Sequence, residues 1–291
     1  MSEVRQVRPV RAAASAALRA APQLAPGAKQ MLWRSVYEVI SLGRRDHGTA
    51  LLNYGYAPLD SAAAESVRAE GQADSFGLAL YAMVAGATEL SGKDVLEVGC
   101  GRGGGAAFVF ERFGLRSMTG LDLARQAIER CRARYARPGL EFVAGNAERL
   151  PFPDAAFDAV LSVESTHCYG DPPSFLREAR RVLRPGGLLL LADFRSTKPT
   201  QDGVFAREDV ARLHEQLADA GFRTLDEEDI TPNVVHALEL DTPIRRAKIE
   251  RRVPKLLRQQ VLRFAAVEGS PVHRAFAEHE LTYLRFVLER A

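Results

Sequence analysis

Cysteine is scarce in this 291-residue chain, which carries three in all, Cys100, Cys131 and Cys168. They are scattered, with neither the paired spacing of a metal site nor the regular set of a disulfide framework. A reducing cytoplasm is therefore the expected compartment, and no metal is expected. An excess of charge of one sign is also lacking. The formal net charge is +2, so nothing in the whole molecule demands a nucleic-acid partner. No apolar run reaches the length that crosses a bilayer. The 46% hydrophobic and 26% charged content is that of an ordinary globular protein. Such a chain is long enough for one large domain with an elaborated lid, or for two small domains. Composition leaves the oligomeric state open.

Residues 1–30 are rich in Ala and Arg, with Arg5, Arg8, Arg11 and Arg19 against the single acid Glu3. A transit peptide has that composition. No apolar signal core follows, however, and a frayed extension in a chain that favours Ala and Arg accounts for it. From Met31 to Ile40 the spacing of Leu32, Val36 and Ile40, with Trp33 and Tyr37, suits an amphipathic helix. Asn53-Tyr-Gly-Tyr56 reads as a turn. Ser61 is a candidate N-cap for a helix over Ala62 to Glu70, and a second helix is expected from Ser75 to Ala87.

What the chain does have is a burst of glycine. Asp94-Val-Leu-Glu-Val-Gly-Cys-Gly-Arg-Gly-Gly-Gly105 begins as a short apolar run and ends in a flexible turn. It reads as a buried strand breaking into a tight loop before a helix over Ala106 to Phe113. Gly99, Gly101 and Gly103 permit positive φ and let a ligand approach the backbone closely. The free N–H groups of the following helix suit an anionic group. Such a triplet serves several kinds of nucleotide-binding fold. Asp122, about 20 residues further on at the end of a strand over Ser117 to Asp122, can accept from both hydroxyls of a ribose. Glu97 fits poorly beside a dinucleotide's diphosphate. It suits S-adenosylmethionine (SAM), whose tail carries an ammonium and whose sulfur is cationic. A solvated loop carboxylate is the plain alternative for Glu97.

Strands and helices then alternate. A helix over Arg125 to Tyr135 leads to a strand at Leu140 to Ala144. A strand at Phe157 to Val163, a helix over Ser174 to Leu183 and an apolar strand at Leu188 to Ala192 follow. A helix over Arg207 to Ala220 and strands at Arg223–Asp229 and Leu281–Leu288 complete the series. This alternation implies a parallel, doubly wound sheet with ligands at the carboxyl ends of its strands.

Candidate chemistry falls at those ends. In Gly145-Asn-Ala-Glu148, the amide oxygen of Asn146 can accept from an adenine amine, and a turn-forming role is its alternative. In Val163-Glu-Ser-Thr-His-Cys-Tyr169, His167 can take a proton near neutral pH. A capping or packing histidine is the alternative there. Glu164 can orient a donor or stabilise positive charge.

Glu97-Val-Gly-Cys-Gly-Arg-Gly-Gly-Gly105, Gly120-Leu-Asp122, Gly145-Asn-Ala-Glu148 and Arg181-Val-Leu-Arg-Pro-Gly-Gly187 together resemble the motif series of class I SAM-dependent methyltransferases. The resemblance spans Lys93 to Arg195. Within that class, Gly103-Gly-Gly105, Val163 to Tyr169 and Leu191-Ala-Asp-Phe-Arg195 are similar to the phthiotriol/phenolphthiotriol dimycocerosate methyltransferases, which O-methylate a hydroxyl on a polyketide-derived lipid. Asn146 departs from the class, where Asp is commoner. The resemblance implies an α/β, Rossmann-like class I methyltransferase sheet with helices on both faces. It implies SAM as cofactor, held by Glu97, Gly99, Cys100, Gly101, Gly103, Asp122, Leu123, Asn146, Ala147 and Val163. It also implies methyl transfer to a hydroxyl of a hydrophobic secondary metabolite, with His167 and Glu164 as catalytic residues. Carbon methylation and a non-methylating cyclase are the alternatives.

The expected organisation is an N-terminal helical extension (1–60), a SAM-binding core (61–231), a helical acceptor lid (232–280) and a final core strand (281–291). In the lid, Ile249, Val253, Leu256, Leu257, Val261 and Phe264 recur at helical spacing. Arg245, Arg246, Lys248, Arg251, Arg252, Lys255, Arg258 and Arg263 surround that stripe. A lid packed on the core explains them. A basic face that touches an anionic membrane or carrier surface is the sharper expectation.

Overall fold

The apolar run at Val95, Leu96 and Val98 forms the central strand of the sheet, β1 (Asp94–Val98), and all three side chains are buried. Its alternation feeds two cores. Val95 joins the cluster on one face and Leu96 and Val98 the cluster on the other, because successive side chains of a strand point to opposite sides. The computed structural model describes residues 51, 53–69, 74–198, 209–252, 258, 262 and 265–291. The expected helix at Met31–Ile40, the rest of the 1–50 extension and Val253, Leu256, Leu257, Val261 and Phe264 lie outside the described residues.

Around β1 stand β2 (Ser117–Asp122), β3 (Leu140–Ala144), β4 (Phe157–Val163), β5 (Leu183–Ser196), β6 (Phe222–Asp229) and β7 (Leu281–Arg290), in the order β3-β2-β1-β4-β5-β7-β6. The sheet is mixed, where the alternation of elements implies a parallel one. β7 runs antiparallel to both β5 and β6. The reason lies in the block between the last two strands. Asp229 ends β6 opposite Leu284, and Leu281 opens β7 opposite Ser196, the last residue of β5. The intervening chain leaves and re-enters at the same end of the sheet, so β7 must run back.

The helices are α1 (Ser61–Ala69), α2 (Ser75–Ala85), α3 (Gly104–Arg112), α4 (Arg125–Tyr135), α5 (Pro172–Val182), α6 (Val210–Asp219), α7 (Thr231–Arg252) and α8 (Pro271–Ala277). Residues of α2, α3, α4, α7 and α8 pack on one face of the sheet, and those of α5 and α6 on the other. In α5 the buried Phe175, Leu176, Ala179 and Val182 fall at helical spacing. Burying each of the larger ones stabilises the fold by about 1.5–3 kcal/mol. The Asp171 side chain caps that helix by accepting from the Ser174 N–H.

Two local expectations are corrected. The cap of α1 is Asp60, whose Oδ1 accepts from the Ala63 N–H at 2.9 Å, and Ser61 is already helical. Asn53–Tyr56 is a strap that bends at Asn53 and is irregular beyond it, rather than a hydrogen-bonded turn, with Gly55 at positive φ. The strap is tied to its surroundings at both ends. The Asn53 side-chain amide donates to the Gly77 carbonyl at one end; at the other, Ala57 exchanges two hydrogen bonds with Asn233 of α7 and the Tyr56 N–H donates to the Phe76 carbonyl.

Of the basic residues expected on an open lid face, two are turned inward. Arg245 pairs with Asp241 and donates to the carbonyls of Asn53 and Tyr54, and Lys248 pairs with Asp74. No helix among the described residues is long and apolar enough to cross a membrane.

Candidate active site

The glycine loop leaves β1 with three residues in the left-handed region, Gly99 (φ 82°), Gly101 (φ 53°) and Gly103 (φ 76°). Their reasons differ. A Cβ on Gly99 would meet Ser165 Cβ at 2.5 Å, whereas one on Gly101 would meet nothing within 4 Å. Gly99 is therefore required by packing against the β4 loop. Gly101 borders open space, where a ligand can approach the backbone.

Asp122 closes this loop. One carboxylate oxygen accepts from the Gly101 N–H and the other from the Ala124 N–H, each at 2.9 Å. Burial nevertheless raises the Asp122 pKa above the ordinary aspartate value. Each oxygen retains a second lone pair, so the carboxylate can still accept from a ligand's hydroxyls.

Glu97 is only 1% exposed, which removes the reading as a solvated loop carboxylate. Its Oε1 accepts from the Tyr81 hydroxyl at 2.6 Å, and its Oε2 has no hydrogen-bond partner in the protein. Burial pushes its pKa up to about 7. A buried carboxylate oxygen without a donor is costly unless something meets it. The positively charged parts of SAM would do so, and the residues at this loop fit that molecule.

The remaining expected contacts are of mixed kind. The side chains of Cys100, Ala147 and Val163 are buried in the two cores, and Leu123 is half-buried beside Asp122. Asn146 serves the turn: its Oδ1 accepts from the Glu148 N–H at 2.9 Å and its carbonyl from the Arg149 N–H. Glu148 in turn accepts from the N–H groups of Gly170 and Asp171, which fastens the β3 loop to the start of α5.

At the end of β4 the chain turns through Glu164, itself at positive φ (52°), into a single 3₁₀ turn at Thr166–Cys168. That turn places the His167 side chain over β5. Nδ1 of His167 lies 2.9 Å from Oδ1 of Asp193, and the His167 N–H donates to Oδ2 of the same carboxylate. Asp193 is buried. It also accepts from the Thr166 hydroxyl and the Phe194 N–H, and the Arg195 guanidinium lies 3.4 Å away. These donors and charges, led by His167, hold its carboxyl well below the usual range despite burial.

Glu164 sits one strand-end away. Its Oε2 accepts from the Tyr54 N–H of the strap at 2.8 Å and from the Tyr283 hydroxyl at 3.2 Å. Burial raises its pKa to about 8. Tyr54, Phe194, Phe276 and Tyr283 form an aromatic cluster here, with centroids 5.4–6.4 Å apart, and the His167 ring lies 4.7 Å from that of Phe194. The sequence expectations thus meet at one end of the sheet. The partners of Asp193, Tyr54, Tyr81 and Tyr283 are not legible in the sequence, since each acts across elements that only the fold brings together.

A seven-stranded sheet of this order with an antiparallel seventh strand, a glycine loop after the central strand and a carboxylate ending the next define the class I methyltransferase fold. A family model described as "Methyltransferase domain" matches residues 96–191. The chain is 35% identical to a probable phthiotriol/phenolphthiotriol dimycocerosates methyltransferase of Mycobacterium ulcerans, over 82% of this chain and 89% of that protein. It is 37% identical to a fatty-acid O-methyltransferase of Mycolicibacterium smegmatis, over 86% of this chain and 85% of that one. The chain belongs to the SAM-dependent methyltransferase family, and SAM is its cofactor. Two solved structures share the fold at low identity. The [4+2]-cyclase SpnF matches with a TM-score of 0.70 and 23% identity, covering 90% of this chain and 96% of that one. Geranyl diphosphate C-methyltransferase from Streptomyces coelicolor matches with a TM-score of 0.68 and 18% identity, covering 90% and 98%.

Proposed function

We propose that this enzyme methylates a hydroxyl oxygen on a lipid- or polyketide-like small molecule. The observation that carries the reading is the His167–Asp193 pair. A carboxylate on Nδ1 fixes the ring's tautomer and orientation, so that Nε2 is the nitrogen that takes a proton. Bound SAM would supply a methyl carbon on a cationic sulfur for attack by the acceptor oxygen, with the neutral thioether as leaving group. His167 draws the hydroxyl proton during that attack, and Asp193 stabilises the imidazolium that forms. Most of the acceleration comes from holding the acceptor oxygen in line with the methyl group. Glu97 and Asp122 are assigned to the cofactor's charged tail and ribose, and the glycine loop to its backbone contacts.

Relatives whose names specify phthiotriol dimycocerosates and fatty acids support an apolar acceptor. In this reading α7 and α8 form the acceptor lid, with a weak contact to an anionic membrane or carrier surface on its outer side. That contact requires binding to anionic vesicles at low salt that falls as salt rises; no binding at low salt removes it.

Glu164 favours a second reading, carbon methylation, in which its carboxylate would stabilise a developing cation. The test is incubation with labelled SAM and a panel of hydroxylated long-chain lipids, followed by mass spectrometry of the product. A methyl ether supports oxygen transfer, and a new C–CH₃ bond replaces it with the second reading. A rearranged acceptor with SAM unconsumed would identify a cyclase.

A further inference from the structure

Tyr81 reaches the cofactor loop from outside it. It belongs to α2, which precedes the glycine stretch, and its hydroxyl crosses to Glu97 on β1. The path is cleared by a glycine. A Cβ on Gly105 of α3 would come within 2.1 Å of the Tyr81 ring, so the helix carries no side chain where the ring passes. Both partners are buried, and the hydrogen bond occupies one carboxylate oxygen while the other stays unpartnered. The remaining groups that bear on Glu97 are Asp122 of β2, Cys100 of the loop and the Ala106 N–H of α3, and Glu164, just past β4, bears on Tyr81. No cation stands among them.

We propose that Tyr81 is a positioning residue for SAM binding, which fixes the Glu97 carboxylate through Oε1 and thereby presents Oε2 to the cofactor's positive charge. The proposal rests on the reading of Glu97 as a cofactor-facing carboxylate. Two consequences follow. Glu97 has to be ionised to attract a cation, and the tyrosine's hydrogen bond favours the ionised form. Burial sets Glu97 at about 7, with the Tyr81 hydroxyl holding it below where burial alone would take it. Removing that hydroxyl raises the Glu97 pKa further, so ionisation, and with it SAM binding, fails at a higher pH.

The experiment is calorimetric titration of SAM into the wild type, Tyr81→Phe and Glu97→Gln from pH 6 to 9. Phenylalanine keeps the ring against Gly105. The ratio of wild-type to Tyr81→Phe affinity cancels the titration of SAM's own amino group. The expected ratio is about tenfold at pH 6, for a shift of one pH unit, and falls towards unity at pH 9. Glu97→Gln should bind weakly at every pH. A ratio that does not change with pH overturns the role of Tyr81 while leaving Glu97 in place. Glu97→Gln that binds like the wild type at all pH values overturns the underlying reading instead. Should Tyr81→Phe fail to fold, proton exchange on SAM binding at pH 7, read from the binding enthalpy in two buffers, replaces it. Proton release in the wild type that Glu97→Gln lacks is then expected, and equal exchange in the two proteins overturns the proposal.

Discussion

His167 and Asp193, 26 residues apart in sequence, are joined twice: Nδ1 of the ring and the backbone N–H of the histidine both address the one buried carboxylate. The pairing depends on the register of β4 against β5, in which Val163 stands opposite Ala192. The strand therefore sets the carboxylate's height, and the 3₁₀ turn sets the ring above it.

If that pair is the base, His167→Ala should lower turnover by roughly 10²–10⁴-fold and leave SAM affinity nearly intact. Asp193→Asn should also lower turnover, since an amide can present the wrong group to Nδ1. It should lower stability as well, because the native oxygens accept from Thr166, His167 and Phe194. Turnover of His167→Ala close to wild type across pH 6 to 9 would leave positioning alone to carry the reaction. Glu164 would then be the next residue to change.

The glycine loop offers a paired comparison. Gly99→Ala forces a Cβ to within 2.5 Å of Ser165 at positive φ, and should cost stability beyond the ~1–3 kcal/mol of backbone strain alone. Gly101→Ala meets only the strain, because its Cβ enters open space. Its larger effect should be on SAM affinity. Chemical denaturation and calorimetry on both variants separate the two. Equal losses of stability with SAM affinity unchanged in Gly101→Ala would mean the open space is not the cofactor's.

Much of this was legible in the chain. The bounds of β2, β3, β4 and α4 follow from short apolar runs and a helical stripe bounded by turn residues, and those signals are local. The same is true of the glycine loop and Asp122. The antiparallel return of β7 was not legible, because nothing in Leu281–Arg290 states at which end of the sheet the preceding block delivers it. Asp193 was hidden for a related reason. The resemblance takes in Leu191-Ala-Asp-Phe-Arg195, but the role of its aspartate comes from a histidine in the 3₁₀ turn that follows the neighbouring strand. Tyr54 falls in a segment that reads as a turn and nothing local marks Tyr81 or Tyr283; only the fold shows the Tyr54 N–H and the Tyr283 hydroxyl ending on Glu164 and the Tyr81 hydroxyl on Glu97.

Those two glutamates predict how stability changes with pH. Their folded-state pKa values, about 7 and about 8, lie above the ordinary value of 4.5. Between these limits the native state holds protons that the unfolded chain has released. The stabilisation is fully present below about pH 4.5 and is lost as pH rises through 7 to 8. The SAM-free protein should therefore melt lower at pH 8.5 than at pH 5.5, by about a few degrees. Glu164→Gln should flatten that decline. A variant that loses as much melting temperature over this range as the wild type would show that Glu164 is ionised throughout.

The last prediction concerns the strap and what fastens it. The Arg245 guanidinium of α7 donates to the carbonyls of Asn53 and Tyr54, while the Tyr54 N–H donates to Glu164 and its ring packs on Phe194 and Phe276. One side chain of α7 thus holds the segment whose Tyr54 N–H reaches Glu164 at the end of β4. Arg245→Ala removes these bonds and leaves Asp241 without its partner. The loss of a charged donor from a half-buried site should cost about 1–3 kcal/mol. A loosened strap also loses its hold on Glu164, beside the proposed base, and on the rings that Tyr54 packs against. KM for the acceptor should therefore rise several-fold while SAM affinity, set on the far side of β1, changes little. Arg245→Lys, which keeps the charge but not the fork that spans two carbonyls, should fall between the two. If SAM affinity falls while acceptor KM rises, the strap supports the whole site, and its assignment to the acceptor side is wrong.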